Sequence, residues 1–432
     1  MPRWHTRLPL ALRPIRAGSW CRTFASGSNC PRHEQVSVRC GSSGHIAVDL
    51  HNHLYQPPTA PLVIYLPSFS RQPHLSPPLP EFIKRYPTAV INYRWPEDSI
   101  LSDPVPAGQN SQPEDDSIVP TNPLHWPTPI HDTLFGYSWI TDNLVPPDSQ
   151  RRDIYVVGSY LGASLAASLA LTESHTHERM AVRGVALYNG IYDWTAFLPP
   201  QNNNPSTDAL AAMKSLLELP DDDAEGSAMH YLRQLVPTLF KTPSNLFDPF
   251  ASAVLFFRST GLLVPSSFEP SGSTIPPELE RAIAELSLDE ASTPVPGSPE
   301  AARLEVAFKA PRKGYMAFPP RQSMLRIPEA LILHETGTVQ PGRGRGRKRS
   351  TASRNNFASQ AKELARVMRR SISLYEMRER IRLDDIDEGA GVEAERRVQL
   401  RDLGTEDVAE DALGPAVEEW LEEKMNACDV KA

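Results

Sequence analysis

The residues whose types and spacing are best arranged for covalent chemistry are Gly158, Ser159, Tyr160, Leu161 and Gly162. An apolar run, Ile154 to Val157, leads into them, and a stretch with Ala163, Ala166, Ala167 and Ala170 follows. A sharp turn between a strand and a helix lifts its central residue to the rim of a sheet. The flanking glycines are needed because a side chain at either place would collide with the neighbouring strand or helix. A serine at the centre is a nucleophile once a base takes its proton. Here the centre is Tyr160, whose phenol ordinarily ionises near ~10 and whose oxygen lies farther out than a serine hydroxyl. Such a ring is better suited to plugging an acyl site than to attacking in it. Ser159 is adjacent, but the geometry of such a turn points it away from the tip. Glycines after a strand also occur in dinucleotide-binding turns, so the surrounding elements must decide.

Other titratable groups have simpler explanations. His334 stands at the end of an apolar run and reads as a core or rim histidine, with Glu335 and Thr338 just beyond it. His125 and His131 flank Trp126 and Asp132; the expectation is loop packing for the histidines and a helix N-cap for Asp132. Asp221, Asp222 and Asp223 read as a solvated helix end. The basic run at 342–349, alternating glycine and arginine before Lys348 and Arg349, has no interleaved aromatic and reads as a surface insertion, with protein or nucleic-acid contact as the alternative.

The elements that must position the turn alternate in type. Residues 36–50 form a hairpin pattern around Gly41 and Gly44. Apolar runs at 62–66, 89–93, 153–157 and 182–188 suit buried parallel strands, and helical spacing is expected at 79–86, 132–144 and 162–172. Residues 196–320 are polar and proline-rich, with helical pieces at 207–219, 226–240, 247–257 and 276–287, and read as a cap insertion. The sheet pattern resumes at 325–334, followed by a flexible stretch at 340–355, an amphipathic helix at 356–382, a strand at 397–403 and a closing helix at 417–425. Strand alternating with helix predicts an α/β architecture: a mostly parallel, doubly wound sheet, mixed by its N-terminal antiparallel hairpin.

Composition sets outer limits. The chain has 432 residues, 43 of them proline, and a net charge of −8. Its first 28 residues hold five arginines and no acid, the composition of a mitochondrial transit peptide, with cleavage expected after Phe24 and a matrix destination; without it the protein would be cytoplasmic. The remainder is acidic, which argues against general binding of nucleic acid. Four cysteines, with no paired spacing, give neither a disulfide framework nor a metal cluster, and no cofactor motif is present. No stretch approaches the ~18 to 20 apolar residues of a membrane span.

The order of pieces resembles the hormone-sensitive-lipase and carboxylesterase branch of the α/β hydrolases, often labelled fold-3. The residues that carry the resemblance are Asn92-Tyr93-Arg94-Trp95-Pro96, then His125 to Asp132, then the strand, Gly158 to Ala163, and Leu165-Ala166. It covers about 60–195 and 325–425. It implies 29–195 and 321–425 as two halves of one hydrolase domain around a cap at 196–320, and a small apolar ester-like ligand. It also implies a Ser-Asp-His triad and a glycine-rich oxyanion loop, and this sequence departs from the branch at each. Tyr160 replaces serine, Thr338 stands where the acid is expected, no histidine follows His334, and Pro67-Ser68-Phe69-Ser70 replaces the glycine loop. The resulting expectation is a pseudo-hydrolase that binds or scaffolds. The alternative is an ester hydrolase with an unorthodox site built on Tyr160, Ser159 or His334.

Overall fold

Short apolar runs too brief for helices become the centre of a sheet because every side chain in them can be covered on both faces. The computed structural model describes residues 33–41, 43–53, 56–68, 79–95, 125–147, 149–198, 228–268, 312–336, 355–377 and 389–429. Within these, β1 (His33–Arg39), β2 (His45–His51), β3 (Leu62–Leu66), β4 (Thr88–Asn92), β5 (Arg152–Ser159), β6 (Met180–Tyr188), β7 (Glu329–His334) and β8 (Val398–Asp402) form one sheet. The strand order is β1-β2-β4-β3-β5-β6-β7-β8. β2 runs antiparallel to β1 and β4, and the strands from β4 through β8 pair in parallel.

Helices cover both faces. α1 (Thr128–Asn143), α2 (Leu161–Thr172), α3 (Ala228–Phe240), α4 (Phe357–Ser371) and α5 (Gly389–Arg397) precede the long α6 (Glu406–Asp429). One face is packed by α1, α2, α3 and α4 around Ile64, Val156, Leu165 and Leu364. The other is closed by α6, whose Trp420 meets Tyr155 edge to face at 6.0 Å. No described helix is long and apolar enough to cross a membrane.

Several expected boundaries move. The helix expected at 79–86 is a single 3-10 turn, Glu81–Ile83, and α6 begins well before 417. The amphipathic helix ends as α at Ser371 and continues as a π turn, Ile372–Glu376. Of the helices expected within 196–320, 226–240 is present as α3; 247–257 is no helix and holds only a 3-10 turn, Ala253–Phe256, after another at Pro243–Phe247; 207–219 and 276–287 lie outside the described residues. So do 1–28, Asp221 to Asp223, Thr338 and the basic run at 342–349.

Asp132 is not the expected cap, because α1 already starts at Thr128 after Pro127. It is fully buried one turn into the helix. There it accepts from the Arg94 backbone N–H at 3.0 Å, from Nε at 2.9 Å and from Nη2 at 2.7 Å. Arg94 also donates to the Ser43 carbonyl, so one guanidinium joins the N-terminal hairpin, the exit of β4 and α1. A buried charge left without its partner is costly, about 3 to 5 kcal/mol. Asp132→Ala is therefore expected to lower the unfolding free energy by about 3 kcal/mol in urea titrations, and the double change Arg94→Met with Asp132→Leu by clearly less.

Candidate functional site

Tyr160 sits between β5 and α2 with φ 51° and ψ −115°, a left-handed backbone in which a residue other than glycine is strained. Local packing enforces it. The Tyr160 N–H donates to the Tyr188 carbonyl at 2.8 Å, and the Ser164 N–H donates back to the Tyr160 carbonyl at 3.2 Å. The flanking glycines allow the close approach. A Cβ on Gly158 would lie 2.5 Å from the Gly162 carbonyl oxygen, and one on Gly162 would lie 2.2 Å from the Leu66 oxygen and 2.5 Å from that of Pro67. The end of β3, the end of β5 and the start of α2 thus meet backbone to backbone. Ser164, one turn on, donates through Oγ to the Ile191 carbonyl at 2.7 Å and accepts the Ile191 N–H at 3.2 Å, tying α2 to the exit of β6.

The Tyr160 ring stands edge to face with Tyr188 at 5.7 Å and with Phe357, the first residue of α4, at 5.6 Å. Its hydroxyl is 3.5 Å from Nδ2 of Asn189 and bonded to the Tyr188 hydroxyl. The Tyr188 hydroxyl in turn donates to Glu335 Oε2 at 3.3 Å. Asn189 is fixed in place because its Oδ1 accepts the Glu335 N–H at 3.0 Å and its own N–H reaches the Leu333 carbonyl. Burial, together with the neighbouring Tyr160 and Glu335, pushes the Tyr188 phenol well above its ordinary range. Ser159 hydrogen-bonds Tyr65, whose phenol burial also raises.

His334 is buried at the end of β7. Its Nδ1 lies 3.3 Å from the Glu335 carbonyl and 3.8 Å from Asp402 Oδ1 at the end of β8. Asp402 also accepts from the Thr336 hydroxyl at 2.5 Å and from the Gly404 N–H at 2.9 Å. Burial opposes ionisation of this half-exposed carboxyl, but those two bonds and the neighbouring His334 hold it below the usual carboxylate range.

Of the residues singled out from sequence, the structure brings Tyr160 and Glu335 into one hydrogen-bonded chain, through Tyr188. It pairs Ser159 with Tyr65 instead, and it sets His334 against Asp402. Trp126 donates to Asp248 Oδ2 at 2.9 Å, and His131 is exposed on α1. Tyr188, Asn189, Phe357 and Asp402 were not singled out. Only Asn189-Gly190, a turn dipeptide directly after an apolar strand, carried a local signal. Among the described residues no group of three or more His, Cys, Asp and Glu is placed to hold a metal ion.

A mixed sheet in this strand order, with a glycine-flanked strained turn between its fifth strand and the following helix, is an α/β-hydrolase fold. No family model and no curated protein matches the sequence. Solved structures that the chain resembles include an esterase from Pyrobaculum calidifontis, 15% identical with a TM-score of 0.32, the match covering 55% of this chain. This chain spans 65% of that esterase, just under two thirds. Brefeldin A esterase, a bacterial homologue of human hormone-sensitive lipase, is 12% identical with a TM-score of 0.45 over 91% of this chain and 77% of its own. Carboxyl esterase 2 of the mycorrhizal fungus Tuber melanosporum is 10% identical with a TM-score of 0.42 over 93% and 88%.

The backbone convergence at the turn gives a direct expectation. Gly162→Ala should destabilise the protein by about 3 kcal/mol or more, because the new methyl meets carbonyl oxygens rather than movable side chains. Gly391→Ala in α5, where a Cβ meets nothing within 4 Å, should instead stabilise by about 0.5 to 1 kcal/mol. Thermal and urea melts of the two variants check both signs.

Proposed function

We propose that this chain is a divergent relative of the hormone-sensitive-lipase and carboxylesterase branch that no longer hydrolyses esters and acts by binding or scaffolding. The observation that carries the reading is Tyr160 at the tip of the turn, its ring between Tyr188 and Phe357 and its hydroxyl already engaged by Asn189 and Tyr188. A nucleophile needs an unencumbered oxygen and a base beside it. Here the hydroxyl's neighbours are an amide and a second phenol.

The remaining machinery of the branch is displaced. His334 ends β7, where the branch carries its acid, and Asp402 ends β8, the strand after which the branch carries its histidine. The pair is inverted, and His334 is buried. Pro67 follows β3 where a donor N–H of an oxyanion loop is expected, and the loss of one such donor costs about 10² to 10³ in rate. The ligand class that suits the aromatic surroundings of Tyr160 is a small apolar ester-like molecule, held without turnover. The same reading keeps 29–195 and 321–425 as the two halves of one domain around a cap at 196–320.

Short-chain p-nitrophenyl esters and a serine-directed fluorophosphonate probe test it. The expected results are no turnover above buffer and no labelling, in the native protein and in Tyr160→Ser alike. Turnover that disappears in Tyr160→Phe or in Ser159→Ala would overturn the reading.

The arginine-rich first 28 residues support delivery to the mitochondrial matrix. Residues 1–30 fused to a fluorescent protein should accumulate in mitochondria and be shortened there; a cytosolic, full-length fusion would refute the assignment.

A further inference from the structure

We infer that the exposed edge of α4 and the strap before β7 form a docking cleft for an acidic peptide segment carrying one apolar anchor. The strap residues Tyr315 and Met316 are about half exposed, at 47% and 45%, and the strap is hydrogen-bonded along 257–259. The Met316 N–H donates to the Phe257 carbonyl, and Gly314 and Arg312 bond Ser259. Between strap and helix runs a narrow crevice lined by Phe257, Tyr315, Met316, Val367, Arg370 and Tyr375, with about 10 Å³ of free space. That is the size of one water and far short of the roughly 300 to 1,000 Å³ of small-molecule sites, so a partner's apolar side chain would rest on the exposed rim formed by Tyr315 and Met316. Leu374, exposed one turn past Arg370, adds apolar surface at 37%. Exposed tyrosine and methionine beside arginine are the residue types enriched in protein-docking surfaces.

Charge says what kind of segment fits. In a chain of net charge −8, this cleft is flanked by Arg366 and Arg370, with Arg312 and Lys313 exposed on the strap just before Tyr315. Arg366 is paired with Glu363, but among the described residues no carboxylate pairs with Arg370, which lies over the Tyr315 ring at 4.2 Å. The Arg366 guanidinium also lies over the same ring, at 5.7 Å. With both guanidiniums stacked on it, Tyr315 is poorly placed to stack nucleobases, so an acidic peptide fits better than RNA. The π turn Ile372–Glu376, which carries Leu374 and Tyr375, is a backbone irregularity frequent at functional sites.

The test uses the full chain and a fluorescein-labelled peptide, Glu-Asp-Glu-Leu-Phe-Glu-Asp-Glu, followed by fluorescence anisotropy. The expected result is saturable binding that weakens about tenfold or more in Arg370→Glu and in Met316→Glu. Arg151→Glu, on the loop entering β5, should leave it unchanged, with circular dichroism confirming that each variant is folded. Replacing Leu-Phe by Ser-Ser in the peptide should also abolish it. No binding, equal binding of the Ser-Ser peptide, or insensitivity to Arg370→Glu would overturn the proposal. So would tighter binding of oligouridine or of phosphatidylglycerol vesicles through the same residues. Self-association in sedimentation that is lost in Arg370→Glu would assign the cleft to a second copy of the chain and overturn it equally.

Discussion

Everything in this molecule is arranged around one steric constraint, the backbone contact where Gly158 and Gly162 meet each other and the end of β3. No Cβ fits at either position, so β3, β5 and α2 converge at a distance that only bare backbone permits. That convergence forces the residue between them into a left-handed conformation. It also sets the height at which α2 lies on the sheet, and α2's small residues, Ala163, Ala166, Ala167 and Ala170, keep it there. From that fixed helix, Ser164 reaches Ile191 and Ser168 reaches the Phe250 carbonyl, so the exit of β6 and the chain around Phe250 inherit their positions from the same contact.

A second anchor repeats the logic with polar groups. The chain leaving β6 at Tyr192 and Asp193 has two buried N–H groups and no strand to pair with. Gln360 of α4 accepts both, at 3.0 and 2.9 Å, and donates to the Asp193 carbonyl. Asp193 in turn pairs with Arg258, which also pairs with Glu363 of the same helix. Buried donors must find acceptors, and here one amide side chain joins the exit of β6 to α4, while Asp193 and Arg258 tie in the segment 228–268. Phe357 is therefore delivered beside Tyr160 by a helix whose position is set by satisfying backbone groups elsewhere.

Sequence made the strands and the turn legible because their signals are local: Leu62 to Leu66 and Ile154 to Val157 are unbroken apolar runs, and the glycines are two residues either side of Tyr160. Asp132 defeated local reading because an acid near a helix start looks like a cap, while its partner Arg94 lies 38 residues away. The neighbours of Tyr160 were hidden for the same reason. Tyr188, Asn189, Glu335 and Phe357 come from three separate stretches, and no periodicity connects them. The pairing of His334 with Asp402 needs the β7 to β8 register, which only the assembled sheet supplies.

Backbone strain at a glycine-flanked turn is commonly taken as a sign that the residue there does chemistry, since strain of about 1 to 3 kcal/mol persists only where the surroundings over-determine it. In this chain the surroundings over-determine it without reference to the side chain. The Tyr188 carbonyl, the Ser164 N–H and the two glycines hold the turn whatever stands at 160. The strain is thus a cost of joining β5 to α2 at this spacing, and its presence is compatible with a residue that attacks nothing. What distinguishes an active turn from an occupied one is the surroundings of the side-chain oxygen. Here that oxygen lies at the end of a chain running through Tyr188 to Glu335. A carboxylate one phenol removed helps orient Tyr160, while the buried Tyr188, with its phenol pushed upward, is a poor carrier of the proton that Tyr160 would have to lose to become a nucleophile.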